Sequence, residues 1–480
     1  MFSIPETFHA PPEAEKMREK HDPDRELFEA IYQTMTFPIN PKNPLFAELE
    51  TIDRLLDETP KILALVAADL NQGAGEGPGR PAEISAEQAL RSAVLMQLRS
   101  LPYRQLAAEI DANPLYRKFT RFYGKKIPHF GSLNEVLKKI TGPTMQRVNE
   151  AIIRLGIKKK VEDGRALRHD TTVTETDIAW PIDARLLEDS VRVLSRQLER
   201  LRQAAPQIPF EYHDHTRRAK KRAYQIALGK GKNIEARRRN LYRDLLEVQR
   251  VVVGYARAAV AAEPAAACDI EALAALSELQ RFLPLAERVY DQAYRRVVLG
   301  EAVPAEEKLV SIFETHTDII CRGKAGAKVE FGHKIDFATG RSGMVTYYEV
   351  LEGNPGDNEV LPRALDEHIR IFGRAPEKLA TDRRYFSADN EAQALAKGVK
   401  QVALPKPGRL SAAREQLQRQ PWFRRLLRWR AGIEGNLSTL LRSFGLRRCL
   451  WKGWASFQAY VGLSVLAYNL RLLAGHLSRV

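Results

Sequence analysis

Three acids sit where this chain could carry out metal-assisted phosphoryl transfer. Asp170 lies inside RALRHDTTVT (165–174), Asp382 ends KLATD, and Glu434 lies in RWRAGIEGNLSTLLRSFGLRR. They are 212 and 52 residues apart. Hard carboxylate oxygens suit Mg²⁺, which keeps positions for water and substrate phosphate. Two such ions ~3.5–4 Å apart activate an attacking oxygen and stabilise a leaving one. Each acid also has an ordinary reading, because among 60 acidic residues an Asp near a strand end is usually a solvated turn residue. Glu434 is the least ordinary, being the only acid among seven arginines from Arg424 to Arg448. Arg430, four residues earlier on the same helix face, would pair with Glu434, orient it, or hold a phosphate. Gly432 and Gly435 weaken a helix interior, as though something must approach closely there.

The surrounding elements determine whether these acids can meet. Residues 165–174 read as a strand rich in β-branched residues. Val329, Phe331, Ile335 and Phe337 alternate with charged residues, and TGRSG leads into MVTYYEVL, so the pair forms a hairpin. A helix follows over 359–372, capped by Asp357 or Asn358, then a strand over 376–382 that ends on Asp382. Ser387 caps a further helix that stops at Gly398, and 399–404 is another strand. Helices over 422–443 and 454–473 close the chain. Between the first two strands, 183–310 is all α. Leu187, Val191, Leu194, Leu198 and Leu201 form a narrow seam there, repeated by Leu241, Leu245, Val248 and Val252.

Without that block the order is β, β, β, α, β, α, β, α, the order of an RNase H-like sheet. The fold expected is α/β: an RNase H-like mixed sheet with a long all-α insertion between its first two strands, preceded by an all-α N-terminal domain. The divisions are an arm and linker over 1–80, a helical and possible helix-turn-helix-like DNA-binding domain over 81–150, a catalytic domain over 165–182 and 311–475, and the insertion over 183–310. The arm is rich in proline and charge, and NQGAGEGPGRP (71–81) is a linker by composition. Arg117, Lys118, Arg121, Lys125 and Lys126 between short helices permit a DNA reader; the alternative is a bundle with a solvated basic face.

The 480 residues carry 75 Lys and Arg against 60 Asp and Glu, a net charge of +15 that favours a polyanionic partner. Residues 217–243 concentrate eleven of the basic residues around one acid, Glu235. Arg217, Arg218, Lys220, Lys221, Arg222, Arg237, Arg238 and Arg239 there are candidate phosphate contacts, as are Arg430, Arg442, Arg447 and Arg448 near Glu434. His213-Asp214-His215 lacks further ligands at metal spacing and reads as a polar turn. GKGK (229–232) lacks the spacing of a phosphate loop. Three distant cysteines argue against a disulfide framework, and no membrane span or export signal is visible, so a cytoplasmic protein is expected.

VEFGHKIDFATG (329–340), PEKLATDRRYFSADNE (376–391), VALPKPG (402–408) and WFRRLLRWRAGIEGNLSTLLRSFGLRRC (422–449) resemble the catalytic half of bacterial insertion-sequence DDE transposases. HDTTVTETDI resembles the strand of the first acid, and the region near 80–145 the helical domain that precedes it. The resemblance implies Asp170, Asp382 and Glu434 as catalytic, metal-binding residues holding two Mg²⁺ ions, replaceable by Mn²⁺. It implies double-stranded DNA as partner, both terminal inverted repeats and target, with a homodimer or higher assembly on the nucleoid. The reaction implied is cleavage of element ends and transfer of the 3′-OH strand to target DNA. Two alternatives stay open: an RNase H-like nuclease that cuts without joining, and a transposase-derived DNA-binding protein without catalysis. Arg384 departs from the family, where glycine is usual, and its Cβ would be strained if the turn needs φ > 0.

Overall fold

The computed structural model describes residues 19–22, 24–34, 43–72, 83–230, 234–262, 269–321 and 329–478. Most of the arm and of the 71–81 linker lies outside them. The chain forms two compact units, 1–175 with 333–480, and 176–332.

The first unit is built on a mixed sheet. The strands of the sheet are β1 (Ala166–Thr176), β2 (Asp318–Ile320, a segment of the second unit), β3 (Glu330–Thr339), β4 (Val345–Val350), β5 (Lys378–Ala380), β6 (Gln401–Ala403) and β7 (Arg448–Cys449). Neighbours run β2-β3-β1-β5-β6, with β4 also on β3 and β7 on β1. The β3–β4 pair is antiparallel, with Ile335 opposite Val350 and Phe337 opposite Tyr348, as the period-two pattern requires. Parallel pairing sets Leu167 against Leu379 and Leu379 against Val402, so β1, β5 and β6 share one direction. β2 pairs only with the first residues of β3, Glu330–Gly332, which belong to the second unit.

Several boundaries differ from the sequence reading. The strand expected over 376–382 is only Lys378–Ala380, so Asp382 stands just beyond its end. The helix after the hairpin starts at Asp357, capped by Gly356, whose N–H donates to Glu359 Oε1 at 3.1 Å. The helix read over 422–443 is two, Pro421–Ala431 and Ile433–Ser443, parted at Gly432, and a short helix Ala412–Arg419 precedes them.

The helices Pro44–Asp57, Lys61–Leu70, Ala86–Arg99, Tyr103–Ala112, Phe130–Leu137 and Gly142–Lys158 bury their apolar faces in one core with the hairpin and the last helix, Trp454–Leu477. Two buried amides in it bond across elements. Asn469 accepts from Val345 N and donates to Val345 O, both at 2.9 Å, and Asn149 donates to Gly462 O at 2.8 Å.

Four of the five basic residues considered for DNA reading are engaged within this unit. Arg121 is buried against Glu87, Asp53 and Asp57 at 3.2, 2.9 and 3.1 Å. Lys118 meets Glu50, Lys125 meets Asp22, and Arg117 bonds Asp111 and two carbonyls. Burial alone would raise the Glu87 carboxyl, but Arg91, His21, Arg121 and Arg25 hold it below its ordinary value. Arg121→Ala is therefore expected to cost about 2–3 kcal/mol, because buried Glu87 loses one of its cations while Arg91 still pairs with Glu87, Asp53 and Asp57. Urea unfolding checks this: a loss below ~1 kcal/mol would mean that water already solvates the cluster.

The second unit is a helical hairpin array of Asp183–Ala204, Thr216–Leu228, Ile234–Ala261 and Ile270–Tyr294. The seam residues Leu187, Val191, Leu194, Leu198 and Leu201 are all fully buried. Inside, Gln249 donates to Ala286 O at 2.7 Å.

Candidate active site

Asp170 is the fifth of the eleven residues of β1, and residues two apart on a strand share a face. Its flanking residues point the other way. His169 Nε2 lies 3.0 Å from Asp336 Oδ2, both fully buried, and Thr171 Oγ1 donates to Asp357 at 3.3 Å. Asp170 shares its face with Arg168. Asp382 caps a 3₁₀ turn, Arg383–Tyr385, and accepts from the Arg383 N–H. Glu434 is the second residue of Ile433–Ser443 and projects from its first turn.

These three acids converge on one cation. Arg430 Nη2 lies 2.7 Å from Asp170 Oδ2 and 3.7 Å from Asp382 Oδ2, and its Nη1 lies 3.4 Å from Glu434 Oε1. Arg430 is 12 % exposed and its Nε is buried with no partner among the described residues. Exposure rises around the cluster, from 15 % for Asp170 to 43 % for Asp382 and 68 % for Glu434. Burial pushes the Asp170 carboxyl above its ordinary pKa; Arg430 opposes the shift without cancelling it. Spread around a guanidinium, the carboxylates do not touch a common point, and among the described residues no three acidic, His or Cys groups could hold one ion as they stand.

The residue that sequence reasoning missed is Arg168. Its guanidinium donates to Thr339 Oγ1 at 2.9 Å, Trp429 O at 2.9 Å and Asn436 Oδ1 at 2.8 Å, and stacks over Trp429. It thereby ties the strand of Asp170 to the hairpin and to both helices flanking Gly432. A Cβ on Gly432 would stand 2.5 Å from Arg168 Nη1, so the close approach expected at that glycine is this side chain. Among the described residues nothing lies within 4 Å of a Cβ placed on Gly435. Asn436 also donates to Gly343 O at 2.9 Å, and Gly343, at φ 89°, has no room for a Cβ beside Asn436. Only the acids and glycines gave a signal for this arrangement; a lone Arg two residues before an Asp gives none.

Arg384 lies in the 3₁₀ turn without positive φ, so the strain anticipated there does not arise. Arg442 and Arg447 are exposed and make no ion pair among the described residues, whereas Arg448 pairs with Glu175 at 2.6 Å.

The basic run of the second unit is partly compensated, contrary to the sequence reading. Asp244, one residue past it, binds both Arg218 and Arg222. Arg238 donates to Gly229 O at 3.2 Å. Arg217, Lys220, Lys221, Arg237 and Arg239 are exposed. Lys232 lies outside the described residues. His213-Asp214-His215 is a polar turn, with Asp214 accepting from Thr216 N at 2.8 Å and His215 stacked on Tyr255. Cys321 and Cys449 are free thiols, and no described helix is long and apolar enough to cross a membrane.

Residues 310–470 match the transposase DDE domain, and residues 38–139 match a transposase domain (DUF772). Two transposase families in this order define the class of protein. The chain belongs to the insertion-sequence DDE transposases. The DDE match contains Asp382 and Glu434; Asp170 precedes it, on the far side of the helical insertion. No curated protein and no solved structure matches the chain.

Proposed function

We propose that this transposase cleaves the ends of its element and joins them to target DNA at a site formed by Asp170, Asp382 and Glu434. The observation that carries the proposal is their convergence on Arg430 from a strand, a strand end and a helix start. The neighbour order β4, β3, β1, β5, β6, with β1, β5 and β6 parallel, supports an RNase H-like reading of the sheet.

The donor set fits a divalent metal. It consists of hard oxygens without soft ligands, and the Arg430 guanidinium stands in for the cation the three acids would share. Two Mg²⁺ or Mn²⁺ ions, when bound, would supply activation of the attacking oxygen and stabilisation of the leaving one. Asp170, Asp382 and Glu434 would hold them. Arg168 keeps Asp170 and Glu434 in register, and Arg430, displaced from the acids, would be placed to hold a DNA phosphate. In the first reaction a water oxygen bonds to phosphorus and the P–O3′ bond breaks, leaving a 3′-OH. That hydroxyl then attacks a target phosphodiester and displaces its 3′ oxygen. Cleavage of DNA carrying the sequences that flank the gene tests this. Cutting and joining in Mg²⁺ are expected, with binding but little chemistry in Ca²⁺; cutting undiminished in EDTA would contradict it. Cutting without joining would favour the nuclease reading, and binding without either would favour the inactive one.

We propose further that the exposed arginines of the second unit hold DNA phosphates. Arg237→Ala with Arg239→Ala is expected to lower the slope of log K against log salt by up to about 1.8, at ~0.9 per contact. Affinity should fall equally for element ends and random duplex, since phosphate contacts carry no base information. Equilibrium binding across a salt series measures both, and an unchanged slope would return these charges to solvent.

A further inference from the structure

β1 and β5 are parallel neighbours with Arg168 opposite Ala380, so two residues further along each chain Asp170 and Asp382 stand in step. The ladder stops short of both acids, because β5 ends at Ala380. Strand pairing alone therefore does not set the gap between them. Asp382 takes its place from the 3₁₀ turn Arg383–Tyr385, which Tyr385 N closes by donating to Asp382 O at 3.2 Å.

Tyr385 is fully buried in an apolar layer with Leu167, Leu361 and Leu379, on the face of the sheet opposite Asp170. Its ring meets that of His169, the residue before Asp170, edge to face, with centroids 4.9 Å apart at 78°. His169 and Asp336 are costly groups to place in such a layer. They are fully buried and 3.0 Å apart, yet their side-chain nitrogens and oxygens lack an aligned hydrogen bond among the described residues. The residue after Asp170 is held from the same side: Thr171 bonds Asp357, whose carboxylate also accepts from Lys334 Nζ at 3.1 Å. Asn390 closes the circuit. Its Nδ2 donates to Tyr385 O at 2.9 Å and to Asn358 O at 2.8 Å, joining the turn to the helix that starts at Asp357.

We propose that Tyr385 and His169 are positioning residues, whose ring contact fixes the separation of Asp170 and Asp382 and with it the ion the site prefers. Asp336 keeps the imidazole turned to meet Tyr385. Mg²⁺ demands oxygens at about 2.1 Å in near-octahedral order, whereas Ca²⁺ accepts about 2.3–2.6 Å and a flexible shell. A loosened gap should therefore cost Mg²⁺ more than Ca²⁺. The proposal rests on the reading of the three acids as a metal site, and the test separates the two.

The test is calorimetric titration of Mg²⁺ and, separately, Ca²⁺ into the DNA-bound chain, corrected for the same DNA alone. Tyr385→Leu, which removes the ring, is expected to weaken Mg²⁺ binding at least about tenfold and Ca²⁺ binding less than about threefold. Tyr385→Phe keeps the ring contact and should bind both ions as the wild type does. Asn390→Ala frees the turn but leaves both rings, and should shift the ratio of the two affinities the same way by about threefold. Leu361→Ala, a cavity in the same layer that spares both rings, should lower the melting temperature without changing that ratio. A Tyr385→Leu chain that keeps the wild-type ratio would overturn the proposal; should that chain not fold, an Asn390→Ala chain that keeps the ratio would do so. An equal shift in Leu361→Ala would also overturn it, since any loosening of the layer would then suffice. A wild-type chain that takes up neither ion would instead count against the metal reading itself.

Discussion

Asp170→Asn is expected to reduce Mg²⁺-dependent cleavage by at least about a thousandfold, the scale of a lost charge-stabilising contact worth several kcal/mol. Asparagine keeps the shape of the side chain and its bond from Thr171 N, present at 2.9 Å, so the strand should not shift. What disappears is one negative charge at the most buried of the three acids. Affinity for DNA should change little, or rise slightly, because a carboxylate that repels phosphate has gone. Cleavage and gel-shift assays in parallel measure both quantities. Near-normal cutting would remove Asp170 from the site.

Arg430→Ala should act on stability before it acts on chemistry. Asp170 is already pushed up by burial, and without Arg430 it loses the group that most opposes that shift. In EDTA the variant is expected to be about 2 kcal/mol less stable. The figure is below the usual cost of breaking a buried pair, because Asp382 and Glu434 are largely solvated. The pH dependence follows from the raised carboxyl. Just above the ordinary Asp range the folded chain binds more protons than the unfolded one, so stability should fall as pH rises through that window. Arg430→Ala should steepen the fall, while added Mg²⁺ or Mn²⁺ should recover much of the loss by replacing the missing cation. Thermal melts across pH, with and without metal, measure this. A variant as stable as wild type in EDTA and unaffected by metal would show that the acids need no shared cation.

The parts legible in the sequence were those set by local pattern. Its β-branched residues located β1, period-two alternation the hairpin, the spacing of Leu187 to Leu201 the buried seam, and Ser387 marked its helix, accepting from Asn390 N at 3.0 Å. Gly432 announced a close approach but not by what. Contacts between distant segments were not legible. Arg168 spans from β1 to Asn436, and Arg121 is buried by carboxylates from two other helices, so each looked in sequence like one more basic residue. The run 217–243 ends one residue short of Asp244, which pairs with two of its arginines.

Calorimetric titration of Mn²⁺ into the DNA-bound chain asks whether Asp170, Asp382 and Glu434 together hold divalent metal. The wild type is expected to take up two ions per chain, and Asp170→Asn to lose at least one of them with DNA still bound. Unchanged stoichiometry and affinity in that variant would mean that Asp170 holds no metal.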